Sequence, residues 1–289
     1  MVMKKYVFLL FILTIFLSCN DKNITFKDGV SFKIEENISY GENTSQKLDF
    51  YLPQNKDSIK GIFVLIHGGG WKAGDKSNLT YFTLSMMEKF PDYAFANINY
   101  RLADDHSFIL PTQTDDIDNA LELLVKKSEE LKLNPKFILI GNSAGAHLSM
   151  LYAYNRIFES KHRTNVKAVV NIVGPADLTH PDFRNYSDYS FVEKKMIDAT
   201  QPTPTYITNI DIPNPVFWIN ENTPATISFY GNNDQVIPLS QKKILDSVLN
   251  KNKVVNQSFE FPGGHLDWDN EKNAPIIINR IDEFLKHTK

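Results

Sequence analysis

Short unbroken apolar runs recur along the chain, and helical patterns fill the spaces between them. The runs are GIFVLIH (61–67), YAFANINY (93–100), KFILIG (136–141), VKAVVNIVG (166–174) and ATISFYG (225–231). They are continuous rather than alternating, which suits strands covered on both faces, as in a parallel sheet. Between them DDIDNALELLVKK (115–127) sets Ile117, Ala120, Leu121, Leu124 and Val125 at helical spacing. Asp115 and Asp116 stand at its start, where acids complement the helix dipole. SQKKILDSVLN (240–250) and APIIINRIDEFLKH (274–287) also read as helices, the second with Pro275 in its first turn. SFKIEENISY (31–40) and KLDFYLP (47–53) read as an opening antiparallel pair, and QSFEFPGG (257–264) as a weaker last strand. Strands alternating with helices predict an α/β fold with right-handed crossovers.

The 289 residues suffice for one large α/β domain or two small ones. With 42% apolar and 22% charged residues the composition is that of a globular protein. The net charge is −3 and no basic block occurs, so no nucleic-acid partner is expected. The N-terminus departs from this pattern. In MVMKKYVFLLFILTIFLSCN, Lys4 and Lys5 precede an apolar run from Tyr6 to Leu17, then Ser18 and Cys19. That is the layout of a signal peptide. A transmembrane anchor is the alternative, but the run is short of the roughly 20 residues a spanning helix needs. Cys19 is the only cysteine, so no internal disulfide exists. FLSC resembles the lipobox of bacterial lipoproteins, with Phe16 where leucine is usual. The resemblance implies cleavage before Cys19, lipid on that residue, and an exported protein held on a membrane. The expected organisation is a leader (1–18), a lipidated tether (19–30) and one catalytic domain (31–289). Within that domain residues 174–225, rich in Pro, Asn, Tyr and Asp, break the strand–helix rhythm and are expected to form a cap over the substrate pocket.

GNSAG (141–145) directly follows the KFILI run and opens SAGAHLSMLYAY. A serine between two glycines, at a strand-to-helix turn, matches a nucleophile elbow, with the helix N-terminus supplying N–H groups for developing negative charge. The plain alternative is a small residue in a tight turn. Upstream, LIHGGGWKAGDKS (65–77) places three glycines after another strand end, where unshielded N–H groups can hold an oxyanion. His67 before them is expected to brace the loop. Trp71 and Asn142, beside the two motifs, are candidates for walls of a substrate pocket. A serine hydroxyl also needs a base. The histidines are 67, 106, 147, 162, 180, 265 and 287. His147 lies one helical turn after Ser143 and reads as structural, whereas His265 lies in a glycine-flexed loop, FPGGHLDW, after the last strand. The base needs a carboxylate to fix its tautomer. Asp234 follows a strand in FYGNNDQVIP; Asp177 and Asp267 are rivals. The order Ser143, Asp234, His265 is that of α/β-hydrolases.

HGGGW, NYRL, GNSAG, GNNDQVIP and GGH, in this order, resemble the α/β-hydrolase fold esterases, in particular the feruloyl-esterase-like and hormone-sensitive-lipase-like branch. Two departures stand out. Ala146 replaces the last glycine of that branch's GxSAGG, and ADDHSFILP follows YRL where the branch has an AP…FP pattern. The resemblance implies a mostly parallel eight-stranded sheet with helices on both faces, Ser143 as nucleophile, Asp234 as acid and His265 as base. It implies oxyanion donors at the backbone N–H groups of Gly68, Gly69 and Ala144. No metal-ligand spacing or dinucleotide fingerprint occurs, so no cofactor or metal is expected. The expected reaction is hydrolysis of short acyl or polysaccharide-linked acetyl or feruloyl esters. An amide or formamide hydrolase, a serine peptidase and a catalytically silent binding protein remain as alternatives on the same fold.

Overall fold

The computed structural model describes residues 22–54, 59–133, 136–155, 160, 162–185, 187, 189–197, 208–209 and 211–288. Residues 1–18, expected to be a leader, and Cys19 lie outside the described residues. Nine strands form one sheet: β1 (Lys22–Thr25), β2 (Ser31–Ser39), β3 (Lys47–Pro53), β4 (Ile62–Ile66), β5 (Ala94–Ile98), β6 (Phe137–Asn142), β7 (Val166–Ile172), β8 (Ala225–Gly231) and β9 (Asn256–Phe261). Their spatial order is β1-β2-β3-β5-β4-β6-β7-β8-β9. From β5 to β9 every pairing is parallel, and β1, β2 and β3 extend the sheet antiparallel. The apolar runs read from the sequence are the parallel strands: every residue of β4 and β5 is buried.

The expected count of eight strands is corrected to nine. The extra strand falls where a tether was expected. Lys22 to Thr25 pair with Ile34 to Ser31, joined by a turn in which Phe26 N–H donates to Val30 O. Asp28-Gly29 between apolar residues is a hairpin signal, and Phe26 closes the turn by meeting Phe32 edge-on with ring centroids 6.2 Å apart.

Helices cover both faces. On one lie α2 (Thr112–Glu130), α3 (Ala144–Tyr154) and α5 (Leu239–Lys251), which bury Ile117, Leu121, Leu148, Leu151, Leu245 and Leu249. On the other lie α1 (Thr80–Lys89) and α6 (Asn273–His287), with Phe82, Met86, Ile277, Ile281 and Phe284. A further short helix, α4 (Tyr189–Lys195), belongs to the 174–225 stretch. All eleven residues of α3 are buried, so this helix is enclosed by the fold rather than amphipathic. Among the described residues no helix is long and apolar enough to cross a membrane.

The connectivity sets where chemistry can occur. From β4 the chain crosses α1 to β5 on one side, and from β5 it crosses α2 to β6 on the other. The crevice at the carboxyl ends of β4 and β6 is therefore a topological switch point, the place where open α/β sheets bind ligands.

Candidate active site

Ser143 stands between β6 and α3 with φ 53° and ψ −122°, outside the regions open to an ordinary L-residue. Its N–H donates to Ile172 O at 2.8 Å, and its carbonyl accepts from His147 N–H at 3.0 Å. The neighbouring strand and the helix thus hold the strained residue in place. Gly145 explains why the turn can be so tight. A Cβ there would collide with the carbonyl oxygens of Ile66 and His67, at the end of β4. The nucleophile helix consequently starts directly against the strand that carries the glycine loop.

His265 Nε2 lies 2.9 Å from Ser143 Oγ, and His265 Nδ1 lies 2.8 Å from Asp234 Oδ2. A carboxylate can only accept, so Nδ1 carries the proton and Nε2 is left to accept from the serine hydroxyl. The other oxygen of Asp234 is also engaged, accepting from Val236 N–H at 2.8 Å and Ile237 N–H at 2.9 Å. The Asp234 side chain is fully buried and that of His265 is 13% exposed. The structure thus brings together residues from the ends of β6, β8 and β9. The arrangement can move the Ser143 proton to His265 while Asp234 stabilises the resulting imidazolium.

The rival acids are occupied elsewhere. Asp177 Oδ1 accepts from Thr179 N–H at 2.8 Å and Thr179 Oγ1–H at 2.6 Å, closing its own turn. Asp267 Oδ2 accepts from Gly264 N–H at 2.6 Å, bracing the loop that carries His265. His67 donates from Nδ1 to Gly68 O at 2.7 Å and stacks on Tyr100 with centroids 4.3 Å apart. Tyr100 OH in turn donates to His67 O at 2.9 Å. Burial holds the His67 pKa below the ordinary imidazole value. Its neutral ring is a brace, as its position before the glycines suggests. His147 is buried throughout: Nε2–H donates to Pro213 O at 2.7 Å and Nδ1 accepts from Trp71 Nε1–H at 3.2 Å. Burial lowers its pKa to about 4.

Three expectations about the glycine loop change. Gly68 N–H is not free, because it donates to Asn142 Oδ1 at 2.9 Å. Asn142 is accordingly a partner of the loop through its amide oxygen, a role the pocket-wall expectation did not include. Trp71 is only 2% exposed, with its indole N–H spent on His147 and its carbonyl accepting from Gln113 Nε2 at 2.8 Å. It packs in the core, because a large ring after three glycines gives the loop an apolar anchor. Ala144 N–H belongs to the first turn of α3, where backbone donors have no intrahelical acceptor. Gly69 N–H follows Gly68 in the same loop. Residues Gln113 and Tyr100, which fix this loop from below, carry no motif that reveals the role, although Tyr100 lies in the NYRL stretch.

A cavity of 740 Å³ lies at the opposite edge of the sheet, lined by Lys60, Tyr93, Lys136, Lys167 and Leu285. It borders the amino ends of β4, β6 and β7, away from Ser143, and none of its lining residues is a serine, a histidine or an acid. A smaller one of 240 Å³ lies within the 174–225 stretch, between Leu178, Arg184, Tyr189, Met196 and Pro213. Pro213 joins it to the site through the bond to His147. Among the described residues no group of His, Cys, Asp and Glu could hold a metal ion.

Comparison with known proteins agrees with this architecture. A family model described as BD-FAE matches residues 48–249. The isoprenylcysteine alpha-carbonyl methylesterase ICME of Arabidopsis thaliana is 24% identical over 233 residues, 76% of this chain and 53% of the relative. The arylacetamide deacetylase of Mus musculus is 31% identical over 250 residues, 82% of this chain and 60% of the relative. The chain thus spans somewhat more than half the length of these curated relatives. A truncated carbohydrate esterase from gut microbiota superposes with a TM-score of 0.67 at 18% identity, covering 88% of this chain and 96% of the other.

Proposed function

The chain belongs to the BD-FAE family, and we propose that it is a carboxylic-ester hydrolase in which Ser143 is transiently acylated. The observation that carries this reading is the unbroken hydrogen-bond chain from Ser143 Oγ through His265 to Asp234, set on a positive-φ turn. In the first half-reaction His265 Nε2 takes the hydroxyl proton as Oγ bonds to the acyl carbon. The carbonyl oxygen becomes an oxyanion facing the N–H groups of the glycine loop and of Ala144, which can contribute several kcal/mol to the transition state. The tetrahedral intermediate collapses as His265 returns the proton to the departing alcohol. In the second half water repeats the attack, the acid leaves, and Ser143 regains its proton. Asp234 stays ionised throughout and holds His265 in the tautomer the reaction needs.

For the substrate we propose a short acyl ester or an acetyl or feruloyl ester linked to a polysaccharide. The likeness to a carbohydrate esterase supports the alcohol side of this reading. The likeness to an arylacetamide deacetylase favours a second reading, hydrolysis of an aryl amide by the same residues. For location we propose export and lipid attachment at Cys19, on the strength of the signal layout and FLSC; loss of palmitate labelling in Cys19→Ser is the expected result.

The test of the chemistry is Ser143→Ala with p-nitrophenyl acetate, where hydrolysis is expected to vanish while the melting temperature stays within a few degrees of the parent. Equal rates in mutant and parent would sink the mechanism. Acetylated xylan, methyl ferulate and an aryl acetamide then separate the substrate readings by kcat/KM.

A further inference from the structure

Asn142 is the last residue of β6 and immediately precedes Ser143. Its amide oxygen accepts from Gly68 N–H at 2.9 Å. The donor fixes the assignment, since only the oxygen of the amide can accept. The approach of the two segments is close. A Cβ on Gly68 would lie 2.8 Å from Asn142 Nδ2, 2.9 Å from Asn142 O and 3.2 Å from Ser143 Cβ. The glycine loop therefore rests on the residue before the nucleophile, with no side chain between them. Residues 68–70 carry little stiffness of their own, because glycine has the widest backbone freedom of any residue. The flanking contacts of His67, Tyr100 and Trp71 hold the ends of the loop. The bond to Asn142 is the one that ties a glycine within it to the serine's own strand.

We propose that Asn142 is a positioning residue: it captures the Gly68 N–H, sets the glycine loop against Ser143, and leaves the N–H groups of Gly69 and Ala144 to receive the oxyanion. The inference rests on the serine-hydrolase reading above. A donor that points at Asn142 Oδ1 does not point at the acyl oxygen. The oxyanion then has two donors whose separation is set by a third that never touches it. Oxyanion donors act only when they are fixed before charge develops, and an error of about 1 Å in such a site can cost about 100-fold in rate. Loss of the Asn142 acceptor should accordingly appear in kcat and leave substrate binding nearly unchanged.

The test compares Asn142→Leu, which keeps the shape without an acceptor, with Asn142→Asp, which keeps the acceptor without the amide N–H. Both are assayed with p-nitrophenyl acetate beside the parent and Ser143→Ala. In Asn142→Leu kcat is expected to fall about 30- to 100-fold with KM within about threefold. Asn142→Asp is expected to recover to within about tenfold of the parent, its added charge next to the oxyanion accounting for the remainder. Hydrogen exchange at the Gly68 amide should quicken in Asn142→Leu and stay slow in Asn142→Asp. Asn142→Ala provides the same comparison if the leucine variant does not fold. Parent-like kcat in the variants without an acceptor would overturn the proposal. So would an aspartate variant slower than they are, the mark of Asn142 Nδ2 itself holding the oxyanion, or a loss confined to KM, the mark of a pocket wall. Activity surviving in Ser143→Ala would instead remove the underlying reading, so the two failures are told apart.

Discussion

The loops after β4 and β6, which carry Ser143 and the glycines, and the stretch after β7, which meets them through His147 and Pro213, are built by different means. In the first pair the closest contacts are backbone on backbone: Gly145 abuts the carbonyls of Ile66 and His67, and Ser143 N–H bonds to Ile172 O in β7. The Asn142 side chain, accepting from Gly68 N–H, is the strut added to them. In the stretch from 174 to 225, side chains hold the main chain. Gln241 Oε1 accepts from Ala176 and Asp177 N–H, both at 2.8 Å, Asn214 Oδ1 accepts from Leu178 N–H at 2.6 Å, and His147 Nε2–H meets Pro213 O at 2.7 Å. Close backbone packing tolerates almost no substitution, whereas a side-chain strut can be rebuilt from other residues at other positions. The groups proposed to break the bond thus sit on the part of the molecule with least room for substitution, and the stretch expected from the sequence to cap the substrate pocket is the part with most.

The largest expected effect tests the rigid half. Asp234→Asn keeps the size of the side chain but can donate to His265 Nδ1, which inverts the tautomer and leaves Nε2 protonated. By analogy with other serine hydrolases kcat should fall on the order of 10⁴-fold, with the fold intact. A fall of less than tenfold on p-nitrophenyl acetate would mean that another carboxylate takes over, and the rigid half would no longer own the chemistry.

His147 joins the two halves, and its effect is one of stability. Burial lowers its folded pKa to about 4 from 6.5. As pH falls through 6.5 the unfolded chain takes up a proton that the folded chain refuses until about pH 4. Stability is thus unaffected above about pH 7 and declines through that window, by on the order of 3 kcal/mol from this residue. Urea denaturation at pH 7, 5.5 and 4 measures it, and His147→Gln should flatten the decline. The same slope in both proteins would show that His147 does not couple the halves through its charge.

Gln241→Leu then addresses the stretch after β7 alone. It leaves the N–H groups of Ala176 and Asp177 without their acceptor and Asp177 O without its donor. The cost is expected at about 2 kcal/mol in thermal or urea unfolding. The kcat on a small ester should stay within threefold, while KM for a polysaccharide-linked ester rises. A kcat loss matching that of Asp234→Asn would erase the division between the halves.

The same division decides what the sequence discloses. The parallel strands are legible because strands buried on both faces must be apolar throughout, and GNSAG and HGGGW are legible because backbone contact admits only glycine at fixed positions. The hairpin at residues 22–34 carries its Asp28-Gly29 signal in the open, but a polar stretch after an apolar N-terminal run reads as a tether. Helix α1 is missed because TYFTLSMMEK spreads Phe82, Met86 and Met87 without a clean polar face. The Asn142–Gly68 bond and the Gln241 struts leave no pattern. They join residues 74 and 64 or 65 positions apart by single hydrogen bonds, and no periodicity encodes such a pair.

Asp177 gives the smallest expected effect and the sharpest contrast. Like Asp234 it follows a strand of the parallel sheet, and from sequence alone it competes for the same role. Its Oδ1 accepts both Thr179 N–H and Thr179 Oγ1–H, the pattern of a turn that closes on itself. The residue is half-buried, so water can replace the lost acceptor, and Asp177→Ala should cost no more than about 1 kcal/mol. The kcat on p-nitrophenyl acetate should stay within twofold, since the alanine touches no group in the chain from Ser143 to Asp234. Two measurements on one variant, a melting curve and a kcat, therefore read the two halves separately. A tenfold loss of kcat would place Asp177 within reach of the imidazolium, and a carboxylate from the stretch after β7 would then share the work proposed for Asp234.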